Sequence, residues 1–101
     1  MEGHPLISPG VLARYARDAA SEVTGVAALT ESSLHRGRAV EVTESEDAIT
    51  IAVHVELEWG HSATEVGGNV QRHVSEYVER MTDAKVGAVD VVVDRVGASP
   101  A

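Results

Sequence analysis

AITIAVHVELEW, residues 48–59, is the stretch of this sequence that decides the fold. Apolar side chains stand at every second position, with small or polar ones between them. Because successive side chains of a β-strand point to opposite faces, this alternation predicts a strand with one buried face. The other face is wet or meets a partner, which is typical of an antiparallel sheet covered on one side. The inward set is Ile49, Ile51, Val53, Val55, Leu57 and Trp59, and the outward set is Thr50, Ala52, His54, Glu56 and Glu58.

An amphipathic helix is predicted near the start of the chain. Ser8 is a natural N-cap, and Pro9 suits the first helical position. Gly25 is expected to end the helix as a left-handed C-cap. One apolar stripe at helical spacing is expected to face the sheet, and it consists of Val11, Leu12, Tyr15, Ala16, Ala19, Ala20 and Val23.

A second helix is predicted after the central strand, which Gly60 breaks. Ser62 and Glu65 have the spacing of a capping box at its start. Farther along, Glu76 and Arg80 form a favourably ordered pair one helical turn apart. The residues expected to be buried on this helix are Val66, Val70, Val74, Tyr77, Val78 and Met81.

Three further strands complete the predicted sheet. Residues 26–29 read VAAL and predict a short strand, and residues 39–43 alternate and lead into a hairpin turn. Residues 83–96 predict a turn and a last strand, with Val89, Val91 and Val93 inward. The predicted class is therefore α+β, in the order α-β-β-β-α-β, with an antiparallel or mixed sheet and two helices on one face.

The chain length predicts one domain. Its 101 residues suffice for a single small core. The predicted domain spans residues 7–96, between a flexible N-terminal tail, 1–6, and a flexible C-terminal tail, 97–101.

Charge and composition narrow the classes of function. The net charge is −8, from 8 Lys and Arg against 16 Asp and Glu, and residues 39–71 contain no Lys or Arg. An acidic surface repels phosphate backbones and anionic lipid headgroups. The absence of cysteine excludes disulfides and thiolate chemistry. No window approaches the ~20 apolar residues of a membrane span, and no secretory signal is visible, so direct membrane insertion is not expected.

Candidate chemistry centres on the histidines. His54 shares one strand face with Glu56 and Glu58, so a divalent ion or a metal-dependent hydrolase site is geometrically conceivable. His61 and Glu65, one turn apart, are a second candidate pair. The competing interpretation is a solvated strand face and a helix cap, and the sequence favours it. Of the other histidines, His73 is expected at the boundary of the second helix and His4 and His35 in flexible segments.

A nucleic-acid module of the KH type is another alternative, since it also combines helices with a three-stranded sheet. It requires a basic GxxG loop, which this chain lacks. Gly67 and Gly68 lie within the helical pattern rather than between strand and helix, so they do not form a phosphate loop. They instead allow another backbone to approach closely, or they loosen the helix.

Three segments together resemble the alkaline shock protein family of Gram-positive bacteria. They are ISPGVLARYARDAASEVTGV (7–26), VHVELEWG (53–60) and VGGNVQRHVSEYVERMTDAKVGAVDVVVDRV (66–96). The chain departs from the family pattern at Gly10, where a glutamate is usual, and at Asp83–Ala84, where a glycine is common. The resemblance implies a small cytoplasmic protein linked to envelope stress, without enzymatic activity or a cofactor. It also implies self-association and recruitment to the inner face of the membrane by a membrane-embedded partner.

The expected contact surface is the exposed face of the sheet, because alternation and charge leave that face free for other proteins. No catalytic, cofactor or metal residue is assigned, and no nucleic-acid partner is expected. The residues predicted to make the contacts are His54, Glu56, Glu58, Asp90, Val92 and Asp94.

Overall fold

Two helices and four strands form in the predicted order, which confirms the α+β class. The structure, a computed structural model, describes residues 8–31 and 38–99. The elements are α1 (Pro9–Ser21), β1 (Val26–Leu29), β2 (Val40–Glu44), β3 (Ile49–Leu57), α2 (Ala63–Met81) and β4 (Val86–Val96). The predicted tail 1–6 and the last two residues of the predicted tail 97–101 lie outside the described residues.

The sheet is mixed and is built around β3. On one side β3 pairs antiparallel with β2 along its first half and with β1 along its second half. On the other side β4 runs parallel to β3. His54 is the junction of β1 and β2, because its N–H donates to the Ala39 carbonyl (2.8 Å) and its carbonyl accepts from the Thr30 N–H (2.9 Å). β2 and β1 thus lie end to end along the same side of β3, and the gap between them is opposite His54.

Both helices cover the same face of the sheet, as predicted. α1 packs on the three antiparallel strands, and α2 packs on α1 and β4. Tyr15 of α1 meets Tyr77 of α2 edge-to-face, with 5.9 Å between ring centroids. The core between helices and sheet is built mainly from valine, and its largest fully buried side chains are Ile51, Val53, Val55, Val70, Val74 and Val78.

The two predicted N-caps are confirmed. The Ser8 hydroxyl accepts from the Val11 N–H, and the Ser62 hydroxyl accepts from the Glu65 N–H, each at 3.2 Å. These bonds satisfy amide groups that a helix start leaves without a partner inside the helix.

The predicted C-cap at Gly25 is wrong. α1 ends at Ser21, and Glu22 in a helical conformation is its cap. Gly25 does have a left-handed φ of 99°, but it serves the turn that leads into β1. A Cβ at Gly25 would lie 2.5 Å from Cγ2 of Val66, so α2 passes too close for any side chain there.

Three residues predicted to face the core are exposed. Val11, in the first turn of α1, is 40% exposed. Trp59 lies beyond the end of β3, in the turn that contains Gly60, and 55% of it is exposed. Alternation stops describing side-chain direction once the strand ends at Leu57, which is why that prediction fails. Met81, the last residue of α2, is 46% exposed, since it extends past the neighbouring elements that bury Val78.

Candidate interaction surface

The face of the sheet opposite the helices is a shallow surface of short and acidic side chains, here called the open face. Strand register and alternation decide which residues belong to it. Several members, including Thr43, Ala88 and Asp90, are exposed in the described structure. The open face consists of Ala28, Thr30, Glu41, Thr43, Thr50, Ala52, His54, Glu56, Ala88, Asp90, Val92, Asp94 and Arg95.

The structure brings five of the six predicted contact residues onto the open face. The parallel register sets Val92 opposite His54 and Asp90 opposite Ala52. Glu56 follows on the same face of β3, and Asp94 bonds to His54 from β4.

The sixth predicted residue, Glu58, lies just beyond β3 at the rim. Its carboxylate pairs with Nε2 of His61 at 3.3 Å.

A polar cluster of His54, Asp94 and Thr30 lies at the centre of the open face. Nδ1 of His54 is 3.1 Å from Oδ2 of Asp94, and the Thr30 hydroxyl donates to the same oxygen at 2.7 Å. His54 and Thr30 are only 7% and 6% exposed. His54 is therefore a buried, hydrogen-bonded group and not the solvated imidazole that strand alternation predicts. The cluster orients the ring and joins β1, β3 and β4 through side chains.

An irregularity in β4 explains why Asp94 reaches His54. Val93 pairs with Val55, but the next pair joins Arg95 to Glu56, so Asp94 is an extra residue in β4. A bulge of this kind re-aims side chains and reverses the alternation beyond it. It turns Arg95 onto the open face, where Nε donates to the Glu56 carboxylate at 3.2 Å.

Sequence reasoning therefore misses Thr30 and Arg95 as members of the surface. Strict alternation after Asp90 places Arg95 on the helix side, and nothing in the letters DVVVDRV marks a bulge. Thr30 follows a four-residue strand, and its position opposite His54 depends on the long-range pairing of that strand with β3.

The alternative metal and catalytic candidates are not brought together. His61 faces Glu58, while Glu65 contributes its backbone N–H to the helix cap. His73 pairs with Glu22 across the two helices at 3.1 Å, and His4 and His35 lie outside the described residues. Within residues 8–31 and 38–99, no group of three or more His, Asp or Glu side chains is arranged to hold a metal ion.

A groove of about 520 Å³ runs between α2 and the outer edge of β4. Gly68 lines it, and a Cβ on Gly67 or Gly68 would meet no atom within 4 Å. The predicted close approach of another backbone to these glycines is thus not made by the part of the chain that the structure describes.

The described helices include none with the length and apolar character needed to cross a bilayer.

Similar solved structures share the fold. A variant of the MamM CTD has a TM-score of 0.56 and 10% identity, covering 85% of this chain and 93% of that chain. The nickel form of another variant gives the same TM-score and identity, with 85% and 96% covered. A cadmium form has a TM-score of 0.56 and 11% identity, with 92% and 100% covered. At such low identity the likeness concerns the fold alone. No curated protein matches the chain.

The family comparison covers nearly the whole chain. Residues 1–98 match the model of the alkaline shock protein family, which is described as having a cell envelope-related function. This match confirms the resemblance that the three sequence segments indicate.

Proposed function

Because this chain belongs to the alkaline shock protein family, with its cell envelope-related function, we propose that it is a non-enzymatic interaction module of the envelope stress response. It self-associates in the cytoplasm, and a membrane-embedded partner protein holds it at the inner face of the membrane. It takes no cofactor and performs no reaction. The contact residues proposed are the predicted six, His54, Glu56, Glu58, Asp90, Val92 and Asp94, together with Arg95.

The open face is the observation that carries this proposal. Helices cover one side of the sheet, whereas Ala28, Thr43 and Ala88 on the other side are exposed in the described structure. Such short side chains lose little rotamer freedom when a second surface covers them, which lowers the cost of association. A sheet face lined by short side chains suits a protein surface better than a small ligand, which needs a concave site.

The negative charge of the open face favours a protein, rather than lipid headgroups, as the link to the membrane. Glu41, Glu56 and Asp90 give the open face a negative character, and the whole chain carries a net charge of −8. Anionic headgroups would be repelled by this surface, whereas a basic protein segment would be attracted.

Sedimentation and membrane binding test the proposal together. We expect the purified chain to sediment as more than one copy at high concentration. We also expect it to float with envelope vesicles that retain their proteins, and to lose this binding when the vesicles are first treated with protease. A strict monomer that binds no vesicle preparation would contradict the proposal. Binding to protein-free anionic vesicles would contradict the partner protein.

A further inference from the structure

The outer edge of β4 has no strand beside it in residues 8–31 and 38–99. An unpaired strand edge presents a row of backbone N–H and C=O groups that can pair with another chain. The first half of this edge is already occupied by α2. The Val86 N–H donates to the Glu79 carboxylate at 2.9 Å, and the Val89 carbonyl accepts from the Gln71 side chain at 3.0 Å. Asp90 still lines the groove between α2 and β4, whereas along the second half, from Val91 to Val96, no α2 side chain bonds to the strand edge in the described structure.

Strand register shows which backbone groups of this second half are available. His54 directs its own N–H and C=O toward β1 and β2, so its neighbours Val53 and Val55 direct theirs toward β4. Leu57, two residues beyond Val55, follows the same rule, because its carbonyl accepts from the Gly97 N–H just after β4 at 2.7 Å.

The same register shows which residues of β4 direct their backbone N–H and C=O groups toward β3 and which direct them outward. Asp90 and Val92 pair with Ala52 and His54, and in a parallel ladder these positions bond to the odd-numbered residues of β3. The alternate residues, Val91 and Val93, therefore direct their N–H and C=O groups away from the sheet.

We propose that this half-edge pairs with the same half-edge of a second copy, antiparallel and with the two-fold axis at Val92. The inference rests on the self-association in the proposed function and identifies its surface. Val91 of each chain exchanges both backbone hydrogen bonds with the partner's Val93, as a hydrogen-bonded antiparallel pair requires. The two Val92 side chains then meet at the closer, non-hydrogen-bonded position, and Val92 is 38% exposed for that contact.

Charge complementarity favours this register. Because Asp94 is an extra residue, Asp90 lies opposite both the partner's Asp94 and the partner's Arg95 on the open face. The Asp94 carboxylate is already engaged by Thr30 and His54 of its own chain, so Arg95 is the group that meets Asp90. The two-fold axis repeats the pair, so two ion pairs flank the central valines. Arg95 already donates to Glu56 of its own chain, but its side chain is 67% exposed, so its remaining N–H groups can meet the second carboxylate and offset repulsion between the two copies.

Neighbouring registers lose these contacts. Moving the axis to Val91 pairs Val93 with the partner's Val89, whose carbonyl already accepts from Gln71. Moving it to Val93 sets Arg95 opposite the partner's Val92, which removes both ion pairs. A register that keeps the free backbone groups and the opposite charges together is therefore the one centred on Val92.

A proline substitution tests the backbone pairing. Val91→Pro removes an N–H that points away from β3, and proline is tolerated at such edge positions. Val91→Ala trims the same side chain but keeps the N–H, so it is the matched control. In sedimentation equilibrium we expect V91P to weaken dimerisation about tenfold or more and V91A to change it much less. Circular dichroism and thermal unfolding check that both variants are folded.

A charge exchange tests the register. Asp90→Arg should weaken dimerisation about threefold or more, since it sets two arginines against each other. The double variant D90R/R95D should recover much of that loss.

If the wild type dimerises and V91P matches V91A, the edge inference is overturned while the proposed function stands. If V91P weakens dimerisation but the exchange does not recover D90R, the register is overturned. A wild type that stays monomeric at all concentrations removes the proposed self-association itself.

Discussion

Replacing Asp94 with alanine tests whether the polar cluster on the open face stabilises the fold. One Asp94 oxygen accepts from the Thr30 hydroxyl at 2.7 Å and lies 3.1 Å from Nδ1 of His54. Both of these partners are almost completely buried. Asp94→Ala therefore leaves two buried polar groups without the acceptor that they share.

The magnitude follows from the cost of leaving buried polar groups unsatisfied. Each such group costs about 1–3 kcal/mol when water cannot replace the lost partner. The cluster lies on an uncovered face, so water can reach part of the space that the carboxylate leaves. We therefore expect the free energy of unfolding to fall by about 2–4 kcal/mol, which is the lower half of the range that two such groups give.

Urea unfolding followed by circular dichroism measures this difference, at a protein concentration low enough to keep the chain monomeric. Asp90→Ala is the matched control, because Asp90 is an exposed carboxylate on the same strand and face. It should change the stability by less than about 0.5 kcal/mol. If Asp94→Ala is equally neutral, the cluster contributes no net stability and the reasoning fails.

Three further predictions concern the fold. Gly25→Ala should destabilise the chain by about 1–3 kcal/mol, because the residue has a left-handed φ and faces Val66, and a thermal melt unchanged from wild type would contradict the crowding. Val74→Ala should cost about 1.5–3 kcal/mol in urea unfolding through the cavity it leaves in the core, whereas Val11→Ala at an exposed position should cost under about 1 kcal/mol. Trp59 should fluoresce as a solvated indole in the folded chain, and quenching by iodide should be similar before and after unfolding; strong protection in the native state would show that the tryptophan is covered.

Most of the fold can be predicted because local signals and packing signals agree. Ser8 and Ser62 mark the helix starts because each hydroxyl accepts from a backbone N–H three residues later. The alternation of Ile51, Val53 and Val55 marks the buried face of β3. Each of these features depends on residues close in sequence, which is why the letters suffice.

What the sequence does not reveal depends on pairing between distant segments. No local pattern shows that β1 and β2 share one side of β3, since the Thr30 and Ala39 bonds to His54 join residues far apart in the chain. The buried state of His54 follows from the same long-range contacts. Strand alternation alone predicts that His54 is solvated, and only the position of Asp94 shows otherwise.

The bulge at Asp94 connects the polar cluster on the open face with the outer half-edge of β4. Inside the chain it aims a carboxylate at His54 and Thr30, which links β4 to the two other strands. Beyond the bulge it turns Arg95 onto the open face, whereas a regular strand would have placed Arg95 on the helix side. The same extra residue thus satisfies a buried imidazole and places a cation where it can meet Asp90 of a second copy. A chain with this charge balance needs such a cation at any self-contact, because two acidic faces brought together without one would repel.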